Sequence, residues 1–199
     1  MVSAGLMRWF RTSSARVRYW KPIQTGIEQD DDTREVARLA ECTDAEIFNA
    51  GIRLPRPLSP HLAAQLSGTR IDLDAVISMV PGDSDTTTWI VEGAGGVLVP
   101  INESHLMIDL MSALRLPVVV AARTRLGTIN HTLLTIEALR QRALTIAGIV
   151  MVGEPDADNR AAIETYGKVR VAGELPMLDP LTPESLVDNF RIALGRTVI

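Results

Sequence analysis

Hydrophobic positions repeat with two different periods, and the two alternate along the whole chain. Short apolar runs at "RVRYW" (16–20), "TTWIVE" (87–92), "LPVVVAA" (116–122), "TIAGIVMV" (145–152) and "VRVAGEL" (169–175) predict strands. Between them, spacing near 3.6 predicts helices over 2–12, 33–41, 60–67, 72–80, 105–114, 130–142, 157–166 and 183–194. Ile129, Leu133, Ile136 and Leu139, for example, share one helical face. The run "PVVVAA" is apolar on both faces, as expected of a parallel strand covered by helices on both sides. Alternating β and α elements predict an α/β fold, a doubly wound and mostly parallel sheet with right-handed crossovers. No repeat, low-complexity tract or linker divides it, so residues 1–199 are expected to form one domain.

Ligands of such sheets bind at the carboxyl ends of the strands. The informative positions are therefore Lys21, Glu92, residues 123–130, Gly153 and Pro176, which are expected on one rim.

Composition narrows the classes. At 46% hydrophobic and 22% charged residues, the chain is an ordinary globular sequence rather than a disordered one. A net charge of −4 gives no reason to expect a nucleic acid or an anionic membrane as partner. No apolar run reaches the roughly 18–20 residues that span a bilayer. One cysteine, Cys42, excludes an internal disulfide and fits a reducing compartment. The amino terminus lacks the apolar core and cleavage site of a signal peptide, so a cytoplasmic location is expected.

Four segments carry candidate chemistry. In "YWKPIQTG", Lys21 leaves a strand with Pro22 behind it, where an ammonium can neutralise developing negative charge. Thr25 and Gly26 add a hydroxyl and a turn. In "EQDDDTREVARL", Asp32 reads as a helix N-cap with Glu35 completing a capping box, or as a carboxylate for Mg²⁺. In "WIVEGAGGVLVP", a bare glutamate, Glu92, precedes Gly93, Gly95 and Gly96, which let a backbone approach phosphate. A glutamate repels phosphate unless a divalent cation lies between them, which Mg²⁺ does with one or two carboxylates. In "RTRLGTINHTLL", Gly127 and Thr128 precede a helix start near Ile129 or Asn130, with free N–H groups suited to an anion. Asn130 is placed to cap that helix or meet a ligand; His131 is expected to be structural, His61 has a weak claim on the site, and His105 is expected at the surface without a partner.

With these residues in place, the chain resembles the dethiobiotin synthetases, ATP-dependent ring-closing ligases of biotin synthesis. The resemblance runs over about residues 3–185 through "KPIQTG" (21–26), "LSPHLAA" (58–64), "VEGAGGVLVP" (91–100), "RLGTINHTLLT" (125–135) and "GELPMLDP" (173–180). It implies a P-loop NTPase-like fold, a homodimer, and 7,8-diaminononanoate, CO2 and MgATP as substrates. It implies that Lys21 stabilises charge on a carbamate and on the transferred phosphoryl group, and that Thr25 contacts substrate. Asp32 and Glu92 correspond to metal-site acids, Asp31 being inseparable from Asp32 by sequence; Gly93, Ala94 and Gly95 lie beside the nucleotide phosphates. Leu126, Gly127, Thr128, Ile129 and Asn130 match the helix start that receives the substrate carboxylate from the opposite subunit. Pro176, Met177 and Leu178 match a segment lining the base pocket.

Two departures stand out. Where the family reads adenine with an asparagine, this chain has Val152 and Gly153, so other nucleoside triphosphates are expected to be tolerated. The family also begins with a strand and a G-x-x-x-x-G-K-T loop, a motif these 199 residues do not contain. The chain opens on what resembles the helix after that loop, so a truncated sequence is expected. A corrinoid-type P-loop amide ligase and a non-catalytic chain that only dimerises or binds substrate stand as alternatives.

Overall fold

The computed structural model describes residues 1–14, 16–80 and 87–195. They divide into two compact units, Ser3–Leu114 with Met1, and Arg115–Ile199 with Val2. In both, the strands pair in parallel, and the single antiparallel bridge among the described residues joins Pro100 to Leu106.

The first unit starts with helix α1 (Val2–Arg11), then strands β1 (Val17–Trp20) and β2 (Ile23–Thr25), and helix α2 (Asp32–Ala40). Strands β3 (Ile47–Phe48) and β4 (Ile52–Leu54), helices α3 (Pro60–Leu66) and α4 (Leu73–Ser78), strand β5 (Thr88–Val91) and helix α5 (Met107–Leu114) follow. β1 lies between β3 and β5, while β2 pairs with β4. Alternation along β1 sends Trp20 into an apolar core with Ile23, Leu54, Ile71, Val76, Ile101, Met107 and Leu110. Tyr19 and Lys21 fall on the opposite face, which carries the polar cluster described below.

The second unit alternates β6 (Val118–Arg123), α6 (Thr128–Gln141), β7 (Ile146–Val152), α7 (Ala157–Gly167), β8 (Val171–Leu175) and α8 (Pro183–Leu194). β7 is the central strand of the β6-β7-β8 ladder. Ile136 of α6 and Ile163 of α7 pack with Ala122, Ile149, Met151 and Val171 from the strands.

All eight expected helices are present, most within one or two residues of their expected ends. Three strands, β2, β3 and β4, were not foreseen. At two or three residues each, they are too short to show a period. The expectation that "PVVVAA" is covered on both faces does not hold. Among the described residues β6 has one strand neighbour, β7; Val118, Val119 and Val120 are half-buried, and Ala121 is exposed.

Candidate active site

Register brings the central pair together. Trp20 lies opposite Val91 in the parallel β1–β5 ladder, and the Glu92 N–H donates to the Trp20 carbonyl at 2.9 Å. The next residue of each strand, Lys21 and Glu92, is therefore side by side where the strands end. Lys21 Nζ lies 2.9 Å from Glu92 Oε1 and 2.5 Å from Asp32 Oδ2, and donates to the Gly93 carbonyl at 3.3 Å. The lysine side chain is only 5% exposed, against 28% for Glu92 and 42% for Asp32. A buried ammonium is tolerable when opposite charge and acceptors surround it, and here two carboxylates and a carbonyl do so.

The far oxygen of Glu92 is held from behind. Ser3 Oγ on α1 donates to Glu92 Oε2, and so does Tyr19 Oη, at 3.2 Å. Tyr19 sits two residues before Lys21 on the same strand face, so both reach the same carboxylate. Burial pushes the Glu92 carboxyl up, but the Lys21 charge and the hydrogen bonds from Ser3 and Lys21 outweigh it and hold the group below its ordinary range. Burial, then the adjacent Glu92 charge, pushes the Tyr19 hydroxyl far above the ordinary phenol range, so it remains a proton donor.

Asp31 and Asp32, inseparable in the sequence, part company here. The N-cap of α2 is Asp31, whose Oδ1 accepts from the Arg34 N–H at 3.1 Å. Asp32 is the first helical residue and turns to Lys21 instead, which corrects the expectation that it caps the helix with Glu35. Glu35 pairs with Arg38 along the helix. Asp32 and Glu92 are thus the pair available to a divalent cation. Among the described residues there is no group of three or more His, Cys, Asp or Glu side chains arranged to hold a metal. Mg²⁺ needs only one or two carboxylates when phosphate and water supply the rest, so a pair of acids converging on one nitrogen fits that ion.

In the glycine run, Gly95 has φ +79°, and a Cβ there would meet Val99 Cγ2 at 2.9 Å, so the turn requires glycine. Ala94 is buried, and Gly93 turns its carbonyl to Lys21. Thr25 closes β2, half-buried.

The remaining candidates belong to the second unit. Gly127, at φ +91°, is the N-cap of α6, which begins at Thr128. The helix thus starts earlier than expected, and Asn130 lies in its first turn rather than at its cap. Thr128 is buried, Leu126, Gly127 and Asn130 are exposed, and Ile129 is half-buried. No acidic residue occupies that first turn. Val152 ends β7, and the Gly153 N–H after it donates to the Leu175 carbonyl at 3.0 Å. At φ +133°, with a Cβ there falling 2.2 Å from Thr124 Oγ1, Gly153 admits no larger residue. Pro176, Met177 and Leu178 follow β8, with Met177 69% exposed.

His105 does not stand alone at the surface as expected. It is half-buried, and its Nδ1 lies 3.1 Å from Asn102 Oδ1. His61 Nδ1 lies 3.0 Å from Ser59 Oγ. His131 is exposed on α6. Nothing in the residue pattern points to Ser3, Tyr19 or Gln24. A tyrosine inside a strand reads as packing, and only the β1–β5 register shows which carboxylate its hydroxyl meets.

Comparison with known proteins adds to this geometry. A family model described as an AAA domain matches residues 1–185. The "ATP-dependent dethiobiotin synthetase BioD" of Paramagnetospirillum magneticum is 50% identical over 186 residues, covering 94% of this chain and 85% of that protein. Proteins of the same name from Rhodopseudomonas palustris and Agrobacterium fabrum are 43% and 42% identical, covering 98% and 90% of this chain and 88% and 82% of their own lengths. Among solved structures, a ParA family ATPase from Chlorobium tepidum TLS matches with a TM-score of 0.55 at 10% identity, over 94% of this chain and 84% of that one. That likeness concerns the fold alone, which is α/β and P-loop NTPase-like.

Proposed function

Because the chain belongs to the dethiobiotin synthetase family, with an AAA domain, we propose that it is an ATP-dependent ligase that closes a cyclic urea on 7,8-diaminononanoate using CO2. The observation that carries this reading is the Lys21 ammonium, buried and gripped by Asp32 and Glu92 at the ends of two adjacent strands.

In this chemistry one amine of the substrate takes up CO2 as a carbamate. The carbamate oxygen attacks the γ-phosphorus of ATP, and ADP leaves. The second amine then attacks the activated carbonyl carbon, expelling phosphate and closing the ring. Negative charge grows on the carbamate and phosphoryl oxygens, and Lys21, fixed beforehand between two acids, offsets it without reorganising. Asp32 and Glu92 would hold Mg²⁺, which supplies charge neutralisation at the phosphate oxygens. The backbone at Gly93, Ala94 and Gly95 lies beside those phosphates in this reading. Thr25 contacts the diamine, and the α6 start, at Leu126, Gly127, Thr128, Ile129 and Asn130, receives its carboxylate. Such a helix start offers unpaired N–H groups and the positive end of the dipole. Val152, Gly153, Pro176, Met177 and Leu178 line the base pocket. We place the enzyme in the cytoplasm as a homodimer whose substrate site includes the partner's α6 start.

The relatives' names favour the ring-closing ligase over a corrinoid-type amide ligase. Protein supplied with the diamine, bicarbonate and MgATP should release phosphate and form the cyclic urea in equal amounts. Phosphate without the urea would point to another ligase, and neither product from folded protein would reject the reading.

A further inference from the structure

Asp32 meets Lys21 only while the first turn of α2 keeps its place, and one buried side chain behind that turn ties it down. Gln24, the middle residue of β2, is fully buried. A buried amide requires partners for both its ends. Its Nε2 donates to Asp31 Oδ1 at 3.1 Å, with a longer contact of 3.5 Å to the Asp30 carbonyl. Its Oε1 accepts from Thr33 Oγ1 at 3.1 Å. Asp31 and Thr33 are the residues on either side of Asp32, so a single amide holds both neighbours of the acid. The strand that carries it is fixed in turn, with Gln24 opposite Arg53 in the parallel β2–β4 ladder. None of these hydrogen bonds touches Asp32 or Lys21.

We propose that Gln24 is a positioning residue. It aims Asp32 into the Lys21–Glu92 cluster by clamping Asp31 and Thr33, and it acts on the metal site only through Asp32. The proposal rests on the reading of Asp32 and Glu92 as Mg²⁺ ligands. It explains why a glutamine lies buried in a three-residue strand, where an apolar side chain would leave the start of the helix untethered.

Mn²⁺ in place of Mg²⁺, with ATP present and free Mn²⁺ followed by electron paramagnetic resonance, reads the site without turnover. Gln24→Met keeps the volume but removes donor and acceptor, Thr33→Val removes only the partner of Oε1, and Asp32→Asn removes the acid. Gln24→Met should weaken Mn²⁺ binding by about tenfold or more, as loss of groups that orient metal ligands does. Thr33→Val should weaken it less. The Gln24→Met, Asp32→Asn double variant should bind no more weakly than Asp32→Asn alone. Unchanged affinity in Gln24→Met and Thr33→Val, with Asp32→Asn weakened, would overturn the role of Gln24 and leave the metal reading standing. An additive loss in the double variant would mark a general structural effect and also overturn it. No bound Mn²⁺ in the unsubstituted protein, or affinity indifferent to Asp32→Asn, would overturn both. Should Gln24→Met fail to fold, Thr33→Val decides on the same terms.

Discussion

Lys21 Nζ lies 2.5 Å from Asp32 Oδ2, although the two residues sit on different elements and differ sharply in exposure. The lysine is sealed at a strand end, while the acid keeps part of its carboxylate open at the start of a helix. One group is thereby fixed, and the other remains accessible to a ligand.

A fixed ammonium is the kind of group whose value appears in the transition state. Lys21→Met, which keeps the stem and removes the charge, should lower kcat by about 10²–10³. Lys168, the only other lysine and an exposed residue after α7, should be dispensable in the same assay. Equal kcat values for Lys21→Met and the unsubstituted protein would remove Lys21 from the chemistry.

The two neighbouring aspartates should separate by phenotype. Asp31→Ala deletes an N-cap and one partner of Gln24, and should cost about 0.5–2 kcal/mol in urea denaturation. Asp32→Asn should raise the Mg²⁺ concentration needed for turnover, and should also lower the midpoint, because it takes one of two carboxylates from the buried Lys21 ammonium. A Mg²⁺ requirement raised by Asp31→Ala but not by Asp32→Asn would contradict the geometry.

Glu92 links the site to acid stability. Its folded carboxyl is held below the unfolded value of about 4.3, so its contribution is fully present above that pH and is lost as pH falls below it. Ser3→Ala removes one of the hydrogen bonds responsible. The stability gap between this variant and the unsubstituted protein should therefore be widest near pH 7 and should shrink below about pH 4. A gap of constant size from pH 7 to pH 3 would show that Ser3 does not act through the Glu92 charge.

Tyr19 gives the mirror case. Its folded hydroxyl is raised, so the unfolded chain loses the proton first as pH climbs past about 10, and stability falls there. Tyr19→Phe should flatten that alkaline slope, at the expense of the bond to Glu92 seen at neutral pH. An unchanged slope in denaturation curves between pH 9 and 11 would contradict this.

The sequence disclosed the fold wherever an element was long enough to show a period. α6, with fourteen residues, and β7, with seven, were both legible, whereas two-residue β3 was not. For the site, Lys21 and Glu92 were legible because each ends an apolar run and carries charge. Their supports were not. Ser3 and Tyr19 reach Glu92, and Gln24 reaches the neighbours of Asp32, through strand register and helix packing, which pattern along one chain does not record. The cap of α2 lies one residue before the one expected from sequence for a related reason. Three consecutive aspartates offer equivalent caps, and only the positions of Lys21 and Gln24 separate their roles.

Calorimetric titration with ATP, in the presence and absence of Mg²⁺, asks whether Asp32 and Glu92 hold a cation against the nucleotide. A binding heat that requires Mg²⁺ and disappears in the Asp32→Asn, Glu92→Gln double variant is expected. Heat that is indifferent to both the cation and the two acids, or no heat from the folded unsubstituted protein, would contradict it.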